Sequence, residues 1–352
     1  MPRRHDPAPT DHRATDDWTE QGCYEVADGV YRVPLPLPHD GLKAVNIYVL
    51  ESDEGLLAVD GGWAIPTARA TLERALRSVG FTVTDIRRFI VTHMHRDHYT
   101  QAVALRREFG AKVALGAGER ESLEVAITPA GLAGQAQLDA LGRAGASCLQ
   151  PALRESGFGS SDADLENLEL PDEWLSPERT VEISDRRALR IVATPGHTKG
   201  HLVFVEEREG LLFAGDHVLP HITPSIGFEP APAHLPLGDY LDSLRRIRAM
   251  PDLMLLPAHG MPALSVHARI DELLQHHERR LQGCLDNFDS AESTAYQVAC
   301  RLPWTSRLRT FGSLDPFNQM LAVCETAAHL DLLVTQGRLA ATDAHGSCIY
   351  HK

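Results

Sequence analysis

The sequence lacks the features that mark membrane-spanning and secreted proteins. No apolar run in its 352 residues approaches the 18 residues that a membrane-spanning helix needs. Residues 1–20 contain no apolar core of a signal peptide. The six cysteines are far apart and form no CxxC pair, which argues against a disulfide framework or a zinc knot. We therefore expect a cytoplasmic protein with reduced thiols and no membrane contact.

Basic residues are also scarce relative to acidic ones. The chain has 34 Lys and Arg against 48 Asp and Glu, a formal net charge of −14. Proteins that bind phosphate backbones rely on Lys and Arg, so we expect no nucleic-acid partner. A hydrophobic content of 43% is ordinary for a globular protein. The length predicts one large domain with an appendage, or two medium domains.

Four potential metal ligands lie within residues 93–98, in the spacing H-x-H-x-D-H: His93, His95, Asp97 and His98. Residues 88–92 predict a short strand and residues 98–109 a helix, so the ligands follow a strand end. His93 and His95 are two residues apart and face the same way in an extended segment. Imidazoles and a carboxylate suit zinc, iron or manganese.

Three later predicted strands also end in potential ligands. Residues 189–194 lead to His197, residues 211–214 to Asp216, and residues 253–256 to His259. Enzymes commonly build their sites from loops at the ends of rigid strands. Further strands are predicted over 30–33, 46–50, 55–60, 111–115 and 202–205, and helices over 66–79, 239–249, 264–286, 294–301 and 316–336.

Segments outside this pattern divide the chain. Residues 1–20 read as a disordered tail before a main domain over 21–287. Within that domain, residues 119–178 hold twelve acidic and three basic residues, and predict a helical lid or binding insert, or else a mobile surface loop. Residues 288–352 predict helix, helix and hairpin, a small winged-helix-like module. Its five basic and six acidic residues do not form the face of a DNA reader, so we expect it to pack on the core or help form a homodimer.

The order and spacing of these motifs resemble the metallo-β-lactamase superfamily over about residues 24–285. The resemblance rests on residues 93–98, on Pro-Gly-His-Thr at 195–198, on Gly215-Asp216 and on His259-Gly260. It is closer to the glyoxalase II and lactamase-like branch, whose members carry PGHTxGH and an added C-terminal helical or winged-helix domain. This resemblance implies an α/β fold, an αββα sandwich with a binuclear metal site at one edge.

Ligand roles follow from the same resemblance. It implies that His93, His95 and His197 hold one ion, and that Asp97, His98 and His259 hold the other. Asp216 is then the bridging ligand. Asp60, in the strand-end Val-Asp-Gly-Gly, matches a family position that supports the ligands from behind.

The implied chemistry is hydrolysis by two divalent ions, with zinc expected and iron or manganese also suited to the ligands. A metal-bound hydroxide would attack an ester-type carbonyl, and Asp97 would orient it and pass its proton to the leaving group. A small-molecule thioester is the expected substrate. The alternatives are a lactone, then a phosphodiester or RNA, and last a diiron redox reaction. The net charge argues against a polyanion. Flavodiiron relatives typically have Glu in place of His95 and carry a flavin domain.

Other residues have two interpretations each. His201 supports a ligand or is a structural histidine, and one of His217 and His221 lines the substrate pocket or neither does. Tyr99 offers a phenol to an oxyanion or packs on the sheet. His276 and His277 read as the solvated face of a helix.

Overall fold

The computed structural model describes residues 17–38, 41–159, 167–288, 291–305 and 308–352. Its centre is a pair of stacked sheets. The first sheet is antiparallel from β1 to β4 and parallel from β4 to β7. Its strands, in spatial order, are β1 (Tyr24–Ala27), β2 (Val30–Pro36), β3 (Ala44–Ser52), β4 (Gly55–Val59), β5 (Ile86–Val91), β6 (Lys112–Gly116) and β7 (Glu173–Leu175).

The second sheet has the order β12-β11-β10-β9-β8 and is antiparallel except for the β11–β12 pair. Its strands are β8 (Thr180–Ser184), β9 (Arg187–Ala193), β10 (Leu202–Glu206), β11 (Leu211–Gly215) and β12 (Met254–Pro257). A third, small sheet has the order β13-β15-β14, with β13 (Glu292–Ser293), β14 (Ala340–Ala344) and β15 (Ser347–His351).

Helices cover both outer faces. The first sheet is covered by α1 (Pro66–Ser78), α2 (Arg96–Phe109) and α3 (Arg120–Ala126). The remaining helices are α4 (Pro129–Leu132), α5 (Gln135–Arg143), α6 (Gln150–Glu155), α7 (Pro236–Arg248), α8 (Val266–Asp286), α9 (Ala295–Arg301) and α10 (Pro316–Thr335). Single 3₁₀ turns lie at Val83–Asp85, Ala117–Glu119, Ser147–Leu149 and Phe311–Ser313.

Three apolar cores correspond to three layer interfaces. One lies between the two sheets and includes Tyr48, Phe204 and Phe213. A second lies between the first sheet and its helices, and the third between the second sheet and the helices outside it. Each strand buries alternate side chains on opposite faces. The predicted αββα sandwich is confirmed.

The start of the chain departs in part from its prediction. Residues 1–16 of the predicted tail lie outside the described residues. Residues 17–20 form a turn, and the carbonyl oxygen of Trp18 accepts a hydrogen bond from Arg32 Nη1 at 2.8 Å. The prediction of disorder is therefore wrong for these four residues, because the buried side chain of Arg32 fixes them.

The segment predicted as an insert contains a strand of the first sheet. Glu173–Leu175 pairs in parallel with β6, although three residues after an acidic run gave no strand signal. Two of the acidic residues bind helix α2: Glu169 pairs with Arg106 and Arg107, and Asp172 lies 3.5 Å from Arg106. The described part before residue 160 is helical, and α5 and α6 bury leucines in the third core.

The C-terminal residues follow the predicted order of helix, helix and hairpin in α9, α10 and β14–β15. They share the third core with α5, α7 and α8. Tyr296 N donates to Ala144 O at 3.0 Å, and Ser347 Oγ to Gly142 O at 3.1 Å, so the module packs against α5. Its winged-helix identity and the domain boundary at 288 remain predictions.

One predicted surface residue is buried. His277 on α8 is fully enclosed, and its ring stacks on that of His329 of α10 at 5.3 Å. The solvated-face prediction is wrong for His277 because α10 covers this side of α8. Among the described helices, none has the length and apolarity needed to cross a membrane.

Candidate metal centre

The predicted ligands meet at one edge of the two sheets, where several strands end. Strand β5 leads into His93, and His95 is the N-cap of α2, which places Asp97 and His98 in the first helical turn. The β9–β10 loop brings in His197, while β11 and β12 end just before Asp216 and His259. Asn46 of β3 ties the edge together, because its Nδ2 donates to Pro257 O and Gly260 O at 3.0 and 2.8 Å.

The first ligand set is a triangle of imidazole nitrogens. His93 Nε2 lies 2.9 Å from His95 Nδ1, and His197 Nε2 lies 3.0 Å from His95 Nδ1 and 3.3 Å from His93 Nε2. A tetrahedral zinc ion with bonds of about 2.0–2.1 Å places its nitrogen ligands roughly 3.3 Å apart. The triangle therefore has the size of a metal site.

The second set combines carboxylates with imidazoles. Asp97 Oδ2 lies 3.6 Å from His98 Nε2 and 3.5 Å from His259 Nε2. Asp216 faces both sets: its Oδ1 is 3.4 Å from His259 Nε2, and its Oδ2 is 3.5 Å from His197 Nε2. All seven predicted ligands are thus brought together in three overlapping groups. Within each group the potential ligand atoms lie within 4.8 Å of one another.

Hydrogen bonds on the far side of the rings leave the inward nitrogens free for a metal. His197 Nδ1 donates to Ser225 O at 2.8 Å, and His259 Nδ1 donates to Ala44 O at 2.7 Å. His93 Nδ1 lies 3.1 Å from Thr92 Oγ1, whose own proton goes to Asp60. An imidazole ring whose proton is fixed at Nδ1 presents a lone pair at Nε2, as a metal ligand must.

Three inward atoms of the second set have no hydrogen-bond partner among the described residues. His98 Nε2, His259 Nε2 and Asp216 Oδ1 are all buried and unpaired there. Leaving a buried polar atom unpaired costs about 1–3 kcal/mol. Cations at these positions would satisfy them, so the donor set fits bound divalent metal ions.

The first set is electrically neutral. Burial lowers the pKa of His93 well below its ordinary value, and lowers the pKa of His95 and His197 to about 3 and about 4. Neutral imidazole is the form that binds a metal, so these three residues need no proton loss at neutral pH.

The second set is rich in negative charge. Burial opposes the protonated form of His98, but the carboxylates of Asp97, Asp60 and Asp216 outweigh it and raise the pKa of His98 to about 10. Burial likewise opposes the charge on His259, whose pKa is nevertheless raised by Asp216 and Asp97. These carboxylates attract positive charge, and a bound cation would replace the ring protons.

Two of the remaining predicted residues support ligands from behind. Asp60 Oδ2 lies 2.9 Å from His98 Nδ1, and its Oδ1 accepts from Thr92 N at 2.8 Å. His201 is fully buried, with Nδ1 2.9 Å from Thr194 Oγ1, and its Nε2 accepts a hydrogen bond from Asp216 N at 3.2 Å. His201 therefore fixes the backbone of the bridging candidate.

Three predicted residues are not among the ligand groups. Tyr99 is buried in the second core and its hydroxyl donates to Glu169 O at 2.6 Å, which corrects the oxyanion-donor interpretation. His217 is also fully buried, 5.3 Å from the ring of Tyr240, so it packs in the core and does not line a pocket. His221 is exposed and contributes no atom to the three groups.

Residues 40–259 match the family model of the metallo-beta-lactamase superfamily. The chain belongs to the metallo-β-lactamase superfamily. This is a superfamily of metal-dependent hydrolases, and it implies divalent metal ions at the cluster described above.

Relatives of the chain agree with that assignment. It is 26% identical over 333 residues to the probable metallo-hydrolase YqjP of Bacillus subtilis. The matched region covers 91% of this chain and 96% of the relative. A lactamase-like protein nscB of Aspergillus fumigatus is 38% identical over 118 residues, a third of either chain. In structure, the metallo-beta-lactamase family protein TTHA1429 of Thermus thermophilus superposes with a TM-score of 0.71 at 27% identity, covering 93% of this chain and all of that one. A beta-lactamase domain protein of Burkholderia ambifaria gives a TM-score of 0.74 at 26% identity, with 96% and 97% covered.

No sequence motif indicated which residues support the His197 loop. Thr198 Oγ1 donates to Glu119, and Lys199 N donates to Glu229 Oε1 at 2.9 Å. Both glutamates are buried, and Ser122 Oγ donates to Glu229 Oε2 at 2.9 Å. Glu119 and Glu229 lie 110 positions apart with no shared motif, so only the fold shows that they hold one loop.

Proposed function

We propose that this protein is a binuclear metal-dependent hydrolase that cleaves the carbonyl of a small-molecule thioester. The main support is Asp216, whose two carboxylate oxygens face different ligand sets. A carboxylate in this position is suited to two ions, since one residue can contact both. Zinc is the expected metal, because histidine nitrogens dominate the donor set.

Bound divalent ions supply a water of lowered pKa and an electrophile for the carbonyl oxygen. His93, His95 and His197 would hold one ion, and Asp97, His98 and His259 the other. Asp97 is held as a carboxylate: burial opposes its charge, but His98 and His259 keep the pKa of Asp97 below its usual range. It is also half-buried at the open side of the cluster, where it can accept a proton from the attacking water and return it to the leaving group.

The charges next to the ligands favour a neutral carbonyl substrate over a phosphodiester. Lys199 Nζ pairs with Glu121 Oε2 at 2.5 Å, and the guanidinium of Arg96 lies over the Trp63 ring at 4.3 Å. These two cations, each next in sequence to a loop of the site, are therefore engaged with other groups. All six cysteines are free thiols, which supports our proposal that the protein acts in the cytoplasm.

A substrate panel tests the proposal. Zinc-loaded protein is assayed against acyl-glutathione and acyl-coenzyme A thioesters, simple lactones and bis-nitrophenyl phosphate under the same conditions. We expect release of free thiol at a kcat/KM at least tenfold above that for the lactones, and little phosphodiester cleavage. Cleavage confined to lactones would replace the thioesterase by a lactonase, while cleavage confined to the phosphodiester would refute carbonyl hydrolysis.

A further inference from the structure

A row of aromatic rings extends from the metal centre to the surface. The ring of Phe228 lies 6.3 Å from that of His95, the ring of Phe317 lies 5.6 Å from Phe228, and that of Phe158 lies 6.3 Å from Phe317. These spacings are typical of aromatic rings in contact. The three phenylalanines come from the loop after β11, the first turn of α10 and the segment after α6.

Phe228 is fixed in place by bonds to its loop. Gln137 Nε2 of α5 donates to Phe228 O at 3.0 Å. The next residue, Glu229, accepts from Lys199 N, and Ser225 three positions earlier accepts from His197 Nδ1. The same loop therefore supports a ligand histidine and places an apolar ring beside another. A preorganised ring next to the reacting centre is what substrate positioning requires.

The outer end of the row is open to water. Phe317 is 40% exposed, whereas Phe158 and Phe228 are half-buried. Rings that served only to seal the junction between α5 and α10 would be covered by neighbouring side chains. An uncharged surface that starts at His95, itself half-buried, and ends in solvent is suited to an apolar group that enters with the substrate.

We propose that Phe158, Phe228 and Phe317 form a substrate subsite for an aryl or other bulky apolar group attached to the scissile carbonyl derivative. Cleavage of that derivative rests on the proposed function, whereas binding in the subsite does not. The segment after α6 and the C-terminal helix α10 then act together as specificity elements, since each contributes one ring.

Two isomeric thioesters test the subsite and locate the apolar group. S-methyl phenylethanethioate carries the benzyl group on the acyl side, S-benzyl ethanethioate carries it on the thiol side, and S-methyl ethanethioate lacks it. We expect one isomer to exceed the unsubstituted ester in kcat/KM by roughly tenfold, as covering part of a phenyl surface provides. Phe317→Ala should remove most of that preference, and Phe317→Leu should keep part of it.

Phe109→Ala is the matched control. Phe109 is 39% exposed, like Phe317, but it ends α2, about 20 Å along the helix from Arg96. The control should keep the wild-type preference. Equal kcat/KM for all three esters, or the same loss in Phe109→Ala as in Phe317→Ala, would overturn the subsite.

A binding measurement separates this proposal from the proposed function. Cobalt(II)-loaded protein is titrated with 2-phenylethanethiol and with ethanethiol, and the visible absorption of cobalt reports binding. We expect 2-phenylethanethiol to bind roughly tenfold more tightly than ethanethiol, and this ratio of affinities to fall in Phe317→Ala. Such a result without any thioester cleavage would refute the thioesterase and keep the subsite. Equal affinities would refute the subsite even in an active enzyme.

Discussion

Asp60 Oδ2 lies 2.9 Å from His98 Nδ1, on the side of the ring opposite to the nitrogen that faces Asp97 and Asp216. Asp60 adopts a left-handed backbone conformation with φ of 64°, which non-glycine residues seldom occupy. Its carboxylate is held by Thr92 N and Thr92 Oγ1. The strained backbone is thus fixed by bonds that also orient His98, a predicted metal ligand.

Asp60→Asn should weaken metal binding without unfolding the protein. The amide oxygen can still accept from Thr92 N, but its NH₂ group would face the proton of His98 Nδ1. Loss of such a carboxylate partner typically costs 10- to 100-fold in metal affinity. Zinc affinity is measured by competition with a chromophoric chelator. Wild-type affinity in the variant would show that Asp60 has only a structural role.

His95→Ala should abolish hydrolysis and lower the metal content while the far-ultraviolet circular dichroism stays unchanged. His95 supplies one of the three converging nitrogens, and it lies at the half-buried side of the cluster where truncation is tolerated. His345→Asn is the control, because His345 is exposed in the β14–β15 turn at φ of 54°, which asparagine tolerates. A fully metallated and active His95→Ala protein would contradict the ligand assignment.

Glu229 predicts a pH-dependent stability. Burial raises the pKa of Glu229 to about 7, against the bonds from Ser122 and Lys199. The folded state therefore keeps a proton that the unfolded state releases near pH 4.5. The stability that this proton contributes is fully present below pH 4.5 and is lost as the pH rises through 7. Relative to Glu229→Gln, the wild-type protein should lose roughly 2–3 kcal/mol of unfolding free energy between pH 4.5 and 8.5.

Urea unfolding at a series of pH values measures this difference, with the exposed Glu124→Gln as control. Parallel pH profiles for the wild-type protein and Glu229→Gln would show that Glu229 is ionised in the folded state throughout.

Gly196→Ala should disturb the His197 loop. Gly196 has φ of 143°, and an added Cβ would lie 2.3 Å from Tyr240 Cβ. Strain and overpacking together should lower the unfolding free energy by roughly 2–4 kcal/mol and weaken zinc binding. Gly41→Ala, where an added Cβ meets no atom within 4 Å, should be nearly neutral. Thermal melting with and without zinc checks both effects, and a neutral Gly196→Ala would show that the loop adapts.

The clustering of the seven candidate ligands was predictable because each of them follows a strand end within a short motif. Several strands could also be predicted, since β4 and β6 are nearly continuous apolar runs typical of buried parallel strands. Strand β7 could not be predicted, because Glu173–Leu175 is short and forms only by pairing with β6.

Other features depend on contacts between distant segments. His277 has a polar side chain on a helix, and only the packing of α10 shows that it is buried against His329. Phe158, Phe228 and Phe317 have no common periodicity or motif, so no local pattern links them. The carbonyl groups of Ala44 and Ser225, which orient two of the predicted ligand histidines, have no side-chain signature at all.

Metal reconstitution tests the central claim most directly. Protein stripped of metal with a chelator is titrated with zinc, and thiol release from an acyl-glutathione thioester is recorded at each ratio of zinc to protein. The account predicts no release without metal and a rise that saturates at about two zinc ions per chain. Release that persists in metal-free protein, or none at any zinc loading, would contradict a binuclear metal-dependent thioesterase.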